Sequence, residues 1–298
     1  MPPLKVPRLL IVDGHAYAYR AFYAIRHLTS PGGAPTNAIY GFISMLAKLK
    51  AVLEPSHLLV VWDGGLAAER MAALPAYKEH RPPMPADLEK QLEGIDLYLE
   101  AARSAAFRGV GMEADDGIAT VARQAVEADL KVLIASSDKD FMQLVSDGVG
   151  LVNPGDKCEK IWTAEDVLAK TGVEPRQVVD WLSLIGDAVD NIPGVPGVGP
   201  KTATELLRQF GSVQDLYVRV EEVKAPKLRA SLLAAAAAVR RNQELIRLND
   251  RLPGAFCLER MAVQAGDGER LSALYRQWGF RRMLEALEKS RAEQRDLW

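Results

Sequence analysis

Three short apolar runs, each leading into an aspartate, constrain this chain more than any other feature. Leu9-Leu10-Ile11-Val12 stops at Asp13, and Leu58-Leu59-Val60-Val61-Trp62 stops at Asp63. Val132-Leu133-Ile134-Ala135 leads through two serines to Asp138. Continuous apolar runs this short, bounded by glycine or polar residues, are the pattern of strands buried on both faces of a parallel sheet. Helical periods separate them: Ile39, Phe42, Ile43 and Leu46 share one face, and Ile118, Val121, Ala122, Ala125 and Val126 share another. Strand, helix and strand with long connections predict an α/β fold with right-handed crossovers. In such sheets ligands bind outside the carboxyl ends of the strands, where all three aspartates fall.

More acids converge on that edge. Gly111-Met112-Glu113-Ala114-Asp115-Asp116-Gly117 opens a helix predicted to continue to Val126. Any one acid there could simply complement the helix dipole, worth roughly 0.3–1 kcal/mol. Asp140 follows Asp138 closely, and Asp187 and Asp190 are spaced by one helical turn, which would let both carboxylates point the same way. Carboxylates gathered in this way repel, at roughly 4 kcal/mol per pair about 4 Å apart for an effective dielectric of about 20. The cluster must therefore hold protons or cations. Oxygen donors without His or Cys favour Mg²⁺ or Mn²⁺ over Zn²⁺. His15, His27, His57 and His80 show no zinc-ligand spacing and read as structural or incidental, and Cys158 and Cys257 are too far apart for a ligand cluster or a disulfide framework. Two clustered hard metals suit phosphodiester hydrolysis.

Past residue 173 the strand signals stop and helical patterns take over, with Leu232–Val239 reading as a packed helix. Ile192-Pro193-Gly194-Val195-Pro196-Gly197-Val198-Gly199-Pro200-Lys201-Thr202 precedes a helix with Ala203, Leu206, Leu207 and Phe210 on one face. A P-loop needs Gly-Lys-Thr contiguous after a strand. Here Pro200 intervenes and no strand precedes, so ATP binding is rejected. A helix–hairpin–helix turn fits better, with backbone N–H groups at a helix N-terminus offered to a DNA phosphate and Lys201 beside them. Residues 64–85 hold four prolines around Tyr77, Lys78 and Arg81 and read as a long, partly mobile connection.

The formal net charge of −2 argues against nucleic acid only as a whole-chain sum. By segment it is +2 over residues 1–110, −9 over 111–198 and +5 over 199–298. That layout suits metals in the middle and a DNA backbone on either side. No apolar run reaches membrane-spanning length and the start lacks a signal peptide's apolar stretch, so a reducing cytosol is the expected compartment.

Together these segments resemble the 5′ nuclease (flap endonuclease) family, in the form found as the N-terminal 5′–3′ exonuclease domain of bacterial DNA polymerase I. The stretches that carry the resemblance are LLIVDGHAYAYRAFYA, VVWDG, YKEHRPP, MEADDGIATVA, SSDKDFMQL and GDAVDNIPGVPGVGPKTATELL. The resemblance implies a PIN-like or resolvase-like α/β catalytic domain over residues 1–172, with flanking helices and a helical arch. A helical domain over 173–298 follows, carrying a helix–three-turn–helix (helix–hairpin–helix) element at about 184–210. It implies a first metal site of Asp13, Asp63, Glu113, Asp115 and Asp116, and a second of Asp138, Asp140, Asp187 and Asp190. Each would take Mg²⁺ (or Mn²⁺), some carboxylates acting through water. Arg20 matches a phosphate-contacting arginine. Lys78 and Arg81 match the basic pair of the arch, Lys78 being the candidate for stabilising the scissile phosphate. Arg70, Tyr77, Lys139 and the hairpin residues Gly194, Gly197, Val198, Gly199, Lys201 and Thr202 complete the implied DNA contacts, Tyr77 by stacking on a base or else by packing. A K⁺ ion is implied at the hairpin. One departure stands out: the family's Phe-Arg upstream of the Tyr-Lys pair is Glu69-Arg70 here.

The expected activity is cleavage of DNA with a 5′ flap, nick or 5′ end by a two-metal mechanism, as in primer removal, Okazaki fragment processing and repair. The chain is expected to be a monomer at the bacterial nucleoid, either standalone or an excised domain, with a DNA polymerase acting in trans. A catalytically silent junction-binding protein and a PIN-type ribonuclease are the alternatives. The first predicts DNA affinity unchanged by chelator, and the second a preference for single-stranded RNA.

Overall fold

A computed structural model describes residues 7–154, 160–253 and 257–295 of the chain, so Cys158 lies outside the described residues. In chain order the first part runs β1 (Arg8–Asp13), α1 (Gly14–Ala24), α2 (Asn37–Leu53), β2 (His57–Trp62), α3 (Ala68–Ala73), α4 (Ala86–Ala101), β3 (Ala105–Arg108), α5 (Ala114–Glu127), β4 (Lys131–Ala135), β5 (Val149–Val152), β6 (Ile161–Trp162) and α6 (Ala164–Thr171). One sheet gathers six of these strands in the order β3-β2-β1-β4-β5-β6. The pairs from β3 to β5 are parallel and β6 closes one edge antiparallel. The three apolar runs are the central strands, as their patterning predicts.

The alternation within β1 shows why a continuous apolar run suits this place. Leu9 and Ile11 join a core with Leu59, Val61, Val132, Ile134 and the apolar face of α5. Leu10 and Val12 face the opposite way, joining Leu58, Val60 and residues of α1, α2 and α4. Both faces are covered, so no position in the strand can be polar without a partner.

The second part is helical: α7 (Val178–Ile185), β7 (Gly186–Asp187), β8 (Ile192–Pro193), α8 (Pro200–Phe210), α9 (Val213–Val218), α10 (Pro226–Ile246), α11 (Gly268–Trp278) and α12 (Arg281–Arg295). Sequence patterning missed the small β7–β8 ladder, where Gly186 pairs with Pro193 and Asp187 with Ile192. Gly186 has φ +78°, which favours glycine and ends α7. Asp187 and Asp190 therefore sit on a strand and a turn, not on the helical turn that their spacing suggests. α10 contains the predicted 232–239 helix, and Asn242 on it donates to the carbonyls of Ser183 and Pro193, fastening the α7–β8 region. The last helices return to the sheet: Leu271, Tyr275, Trp278 and Phe280 complete the core under α2 and α4. Among the described residues no helix is long and apolar enough to cross a membrane.

Candidate metal centre and nucleic-acid interface

Asp13 is the last residue of β1 and caps α1, accepting from the N–H of Ala16 at 3.0 Å and from the Ser136 hydroxyl at 2.9 Å. Asp63 follows β2 directly and receives the N–H of Ala114 at 2.8 Å, which ties it to the start of α5. Glu113 is the N-cap residue of α5, with Asp115 and Asp116 in its first turn. Asp138 caps the 3₁₀ turn Lys139–Leu144 and receives the N–H of Asp140. Strand ends and helix starts thus bring to one edge acids that lie far apart in sequence.

The second group closes from the helical side. Oxygens of Asp140, Asp187 and Asp190 lie within 4.8 Å of one another. Asp140 Oδ1 is buried with no hydrogen-bond partner. A buried carboxylate oxygen without a donor is costly unless a cation or proton meets it. An all-oxygen donor set with an orphaned oxygen fits a hard divalent ion.

Proton affinities follow the crowding. Burial, with Asp63 and Asp138 nearby, raises Asp13 to about 6. Burial first, then Asp138 and Asp13, pushes Asp115 well above the usual carboxylate range. Asp140 moves the same way through burial and the charges of Asp138, Asp187 and Asp190, and Asp138 is raised mainly by burial. Among the described residues no Lys, Arg or His pairs directly with Asp13, Asp115, Asp138 or Asp140.

Other acids of the expected set are already neutralised by the protein. Arg70 holds both oxygens of Asp116 at 2.7 and 2.8 Å and approaches Glu113 at 3.3 Å. Its guanidinium also donates to the carbonyls of Leu245 and Arg247 at the end of α10, and Asn249 donates its N–H to Asp116. Lys78 forms a short ion pair with Glu113, and Arg81 holds Asp190 at 2.6 Å. Glu113 is lowered despite its burial because Lys78 and Arg70 flank it. Lys78 is raised, the pull of Glu113 and Asp190 outweighing burial.

Several expected DNA contacts are placed differently from the sequence reading. Arg70 and Tyr77 are 8% and 3% exposed, so neither presents a surface to DNA. The Tyr77 hydroxyl donates to Glu113 and the ring is packed in the core, which corrects the base-stacking expectation in favour of the packing one. The 64–85 connection is anchored as well, with α3 inside it and Lys78 buried. Val198 is a core side chain whose N–H already bonds to Val195, so it offers DNA neither group. Gly197, Gly199 and Lys201 are exposed, with Gly194 and Thr202 half-buried beside them. Arg20 is exposed on α1. Lys139 pairs with Asp187 at 3.1 Å and lines a cavity of about 550 Å³ with Lys170, Lys201 and Arg208. Two residues at the site are not singled out by the sequence reading, which takes His15 as structural or incidental and passes over Ser136. His15 accepts the N–H of Asp63 and lies 3.4 Å from its carboxylate, and Ser136 donates to Asp13. For His15 the signal was its place two residues after the first aspartate.

Comparison with known proteins bears on this arrangement. The family described as 5′–3′ exonuclease, N-terminal resolvase-like domain, matches residues 8–172, and the 5′–3′ exonuclease C-terminal SAM fold matches 173–269. A 5′–3′ exonuclease of Aquifex aeolicus is 35% identical over 292 residues, covering 97% of this chain and 99% of that protein. DNA polymerase I of Bacillus caldotenax is 37% identical over 289 residues, but this chain spans only 33% of its length. The structure of a bacteriophage T5 flap endonuclease in a pseudo-enzyme–product complex with DNA and metal ions is similar in fold. It has a TM-score of 0.67 at 21% identity, covering 96% of this chain and 98% of that one.

Proposed function

The chain belongs to the 5′–3′ exonuclease family, and on that footing we propose that it is a Mg²⁺- or Mn²⁺-dependent nuclease that cuts DNA beside a 5′ flap, nick or 5′ end. One observation carries the reading: Asp13, Asp115, Asp138 and Asp140 crowd one another at the sheet edge without a basic partner among the described residues, while Asp140 also lies within 4.8 Å of Asp187 and Asp190.

Asp13, Asp63 and Asp115 would hold one divalent ion, with Glu113 and Asp116 supporting from their ion pairs. Asp138, Asp140, Asp187 and Asp190 would hold the other. Bound there, such ions supply Lewis acidity for activating water and for stabilising charge on the oxygens of a phosphodiester. The remaining roles belong to the chain's own residues. Lys78 is buried and kept charged by Glu113 and Asp190, and would neutralise a phosphate in the cleft only by giving up its contact with Glu113. Arg81 and Arg20 offer further phosphate contacts. Tyr77 orients Glu113 through its hydroxyl. The backbone of Gly197 and Gly199 with Lys201 would grip a duplex phosphate without reading sequence, and a K⁺ ion would sit at the same turn. A role in primer removal and repair, with a polymerase in trans or in line and a place at the nucleoid, follows from the same reading.

The test is cleavage of a 5′-flapped duplex with product sizing, in Mg²⁺ and in chelator. Short 5′ products that vanish with chelator are expected. A purified chain that leaves the flap uncut across metal and salt conditions would sink the proposal. Cleavage of single-stranded RNA in preference to the flap would move it to the ribonuclease reading.

A further inference from the structure

Lys78 lies on a segment tied to the duplex-gripping side by a pair of left-handed residues. Lys78 has φ +56° and Asn191 has φ +57°, a region that asparagine tolerates far better than lysine. The two sites bond to each other reciprocally. Asn191 Nδ2 donates to the Ala76 carbonyl at 2.7 Å, and the Lys78 N–H donates to the Asp190 carbonyl at 3.0 Å. The Asp190 side chain adds Arg81 at 2.6 Å and the Tyr77 hydroxyl at 3.4 Å. Asn191 directly precedes β8, whose Pro193 carbonyl is held by Asn242 of α10 and which leads straight into the glycine hairpin. The Ala76 carbonyl is thus held by a side chain in the turn that joins β7 to β8, just before the glycine hairpin.

We infer that Asn191 is a positioning residue for cleavage: its amide fixes the 76–81 segment so that the Lys78 ammonium stands at the acidic centre. The inference rests on the reading of Lys78 as the phosphate-neutralising group. A purely local role for Asn191, filling a left-handed turn position, needs only tolerance of positive φ. Glycine supplies that tolerance without the amide.

Asn191→Gly therefore separates the two. Amide exchange in residues 76–81 should quicken while that of β1 and β4 stays unchanged. Single-turnover cleavage of a flapped duplex should fall about tenfold, with the dissociation constant in Ca²⁺ changed less than about twofold. On a Lys78→Ala background the same substitution should cost less than about twofold, because its target is gone. Asn191→Asp keeps the shape and the left-handed tolerance but loses the donor, and should behave alike if the glycine variant folds poorly. Full cleavage rates in both variants would overturn the inference, as would a full tenfold cost that persists without Lys78. A Lys78→Ala protein that cuts at the parental rate would instead remove the premise, by disproving the role of Lys78 itself.

Discussion

Glu113 and Asp115 stand two residues apart at the start of one helix, yet the protein treats them in opposite ways. Glu113 faces Lys78 and Arg70, and its proton affinity is lowered. Asp115 faces Asp138 and Asp13, and its proton affinity is raised. The same contrast divides the whole cleft. On one side Arg70, Lys78 and Arg81 neutralise Asp116, Glu113 and Asp190. On the other, Asp13, Asp115, Asp138 and Asp140 repel one another. The neutralised side holds the 64–85 segment against the helical part of the chain. The repelling side needs charge from solution. One cluster of acids thus does two jobs, and the distribution of cations around it decides which acid does which.

The contrast is most exposed to test at Asp115. Asp115→Asn should lower single-turnover cleavage by at least about a thousandfold, with flap affinity within a few-fold. Retained activity would show that the repelling side is not where the chemistry lies. On the neutralised side the main loss should be stability. Arg70→Ala strands Asp116 as a buried charge and should cost about 3–5 kcal/mol in urea unfolding. A loss below about 1 kcal/mol would erase the distinction between the two sides.

Proton linkage sharpens the comparison next. Asp13 binds its proton more tightly when folded, about 6 against 3.8, so metal-free stability should fall as pH rises through that window. The effect is roughly 3 kcal/mol for this one group, and Asp115, Asp138 and Asp140 act in the same direction. Glu113 has the opposite sign: its contribution is present above its unfolded pKa and is lost as pH falls through the lowered folded value. Thermal or urea melts in chelator between pH 4 and 6 should show the net decline, and Asp13→Asn should reduce it, as should replacing the chelator with Mn²⁺. A melting profile that rises over this range in chelator would contradict the crowding.

Lys78 links the two sides. Lys78→Ala should slow single-turnover cleavage about ten- to a hundredfold and weaken flap binding less than about threefold. Equal losses in both would reduce Lys78 to electrostatic attraction. The smallest effect is expected farthest from the centre, where Lys201→Ala should weaken duplex affinity uniformly and reduce its salt slope by about one. An unchanged slope would take Lys201 out of the phosphate grip.

The fold was largely legible because its signal is local. Buried parallel strands need unbroken apolar runs, so β1, β2 and β4 announce themselves, and the aspartates beyond them mark the ligand edge. The hairpin was legible for the same reason, since proline and glycine act on their own backbone. Arg70 and Val198 are not placed where the resemblance put them, and Tyr77, left open between stacking and packing, takes the packing role. What settled them is distant in sequence: Asp116 and the end of α10 for Arg70, Glu113 for Tyr77, the apolar core for Val198. Nothing near residues 64–85 in sequence announces the contacts that hold the segment here, because Asp190 and Asn191 reach it from more than a hundred positions away.

The sequence by itself determined the layers and the sheet edge where the aspartates gather, because apolar periodicity and backbone chemistry act over a few residues. It also placed the negative charge in the middle of the chain. Only the tertiary structure decided how that charge is divided. Whether a carboxylate binds a proton, a metal or an arginine depends on which groups lie within a few ångströms, and here those groups come from segments far apart in sequence.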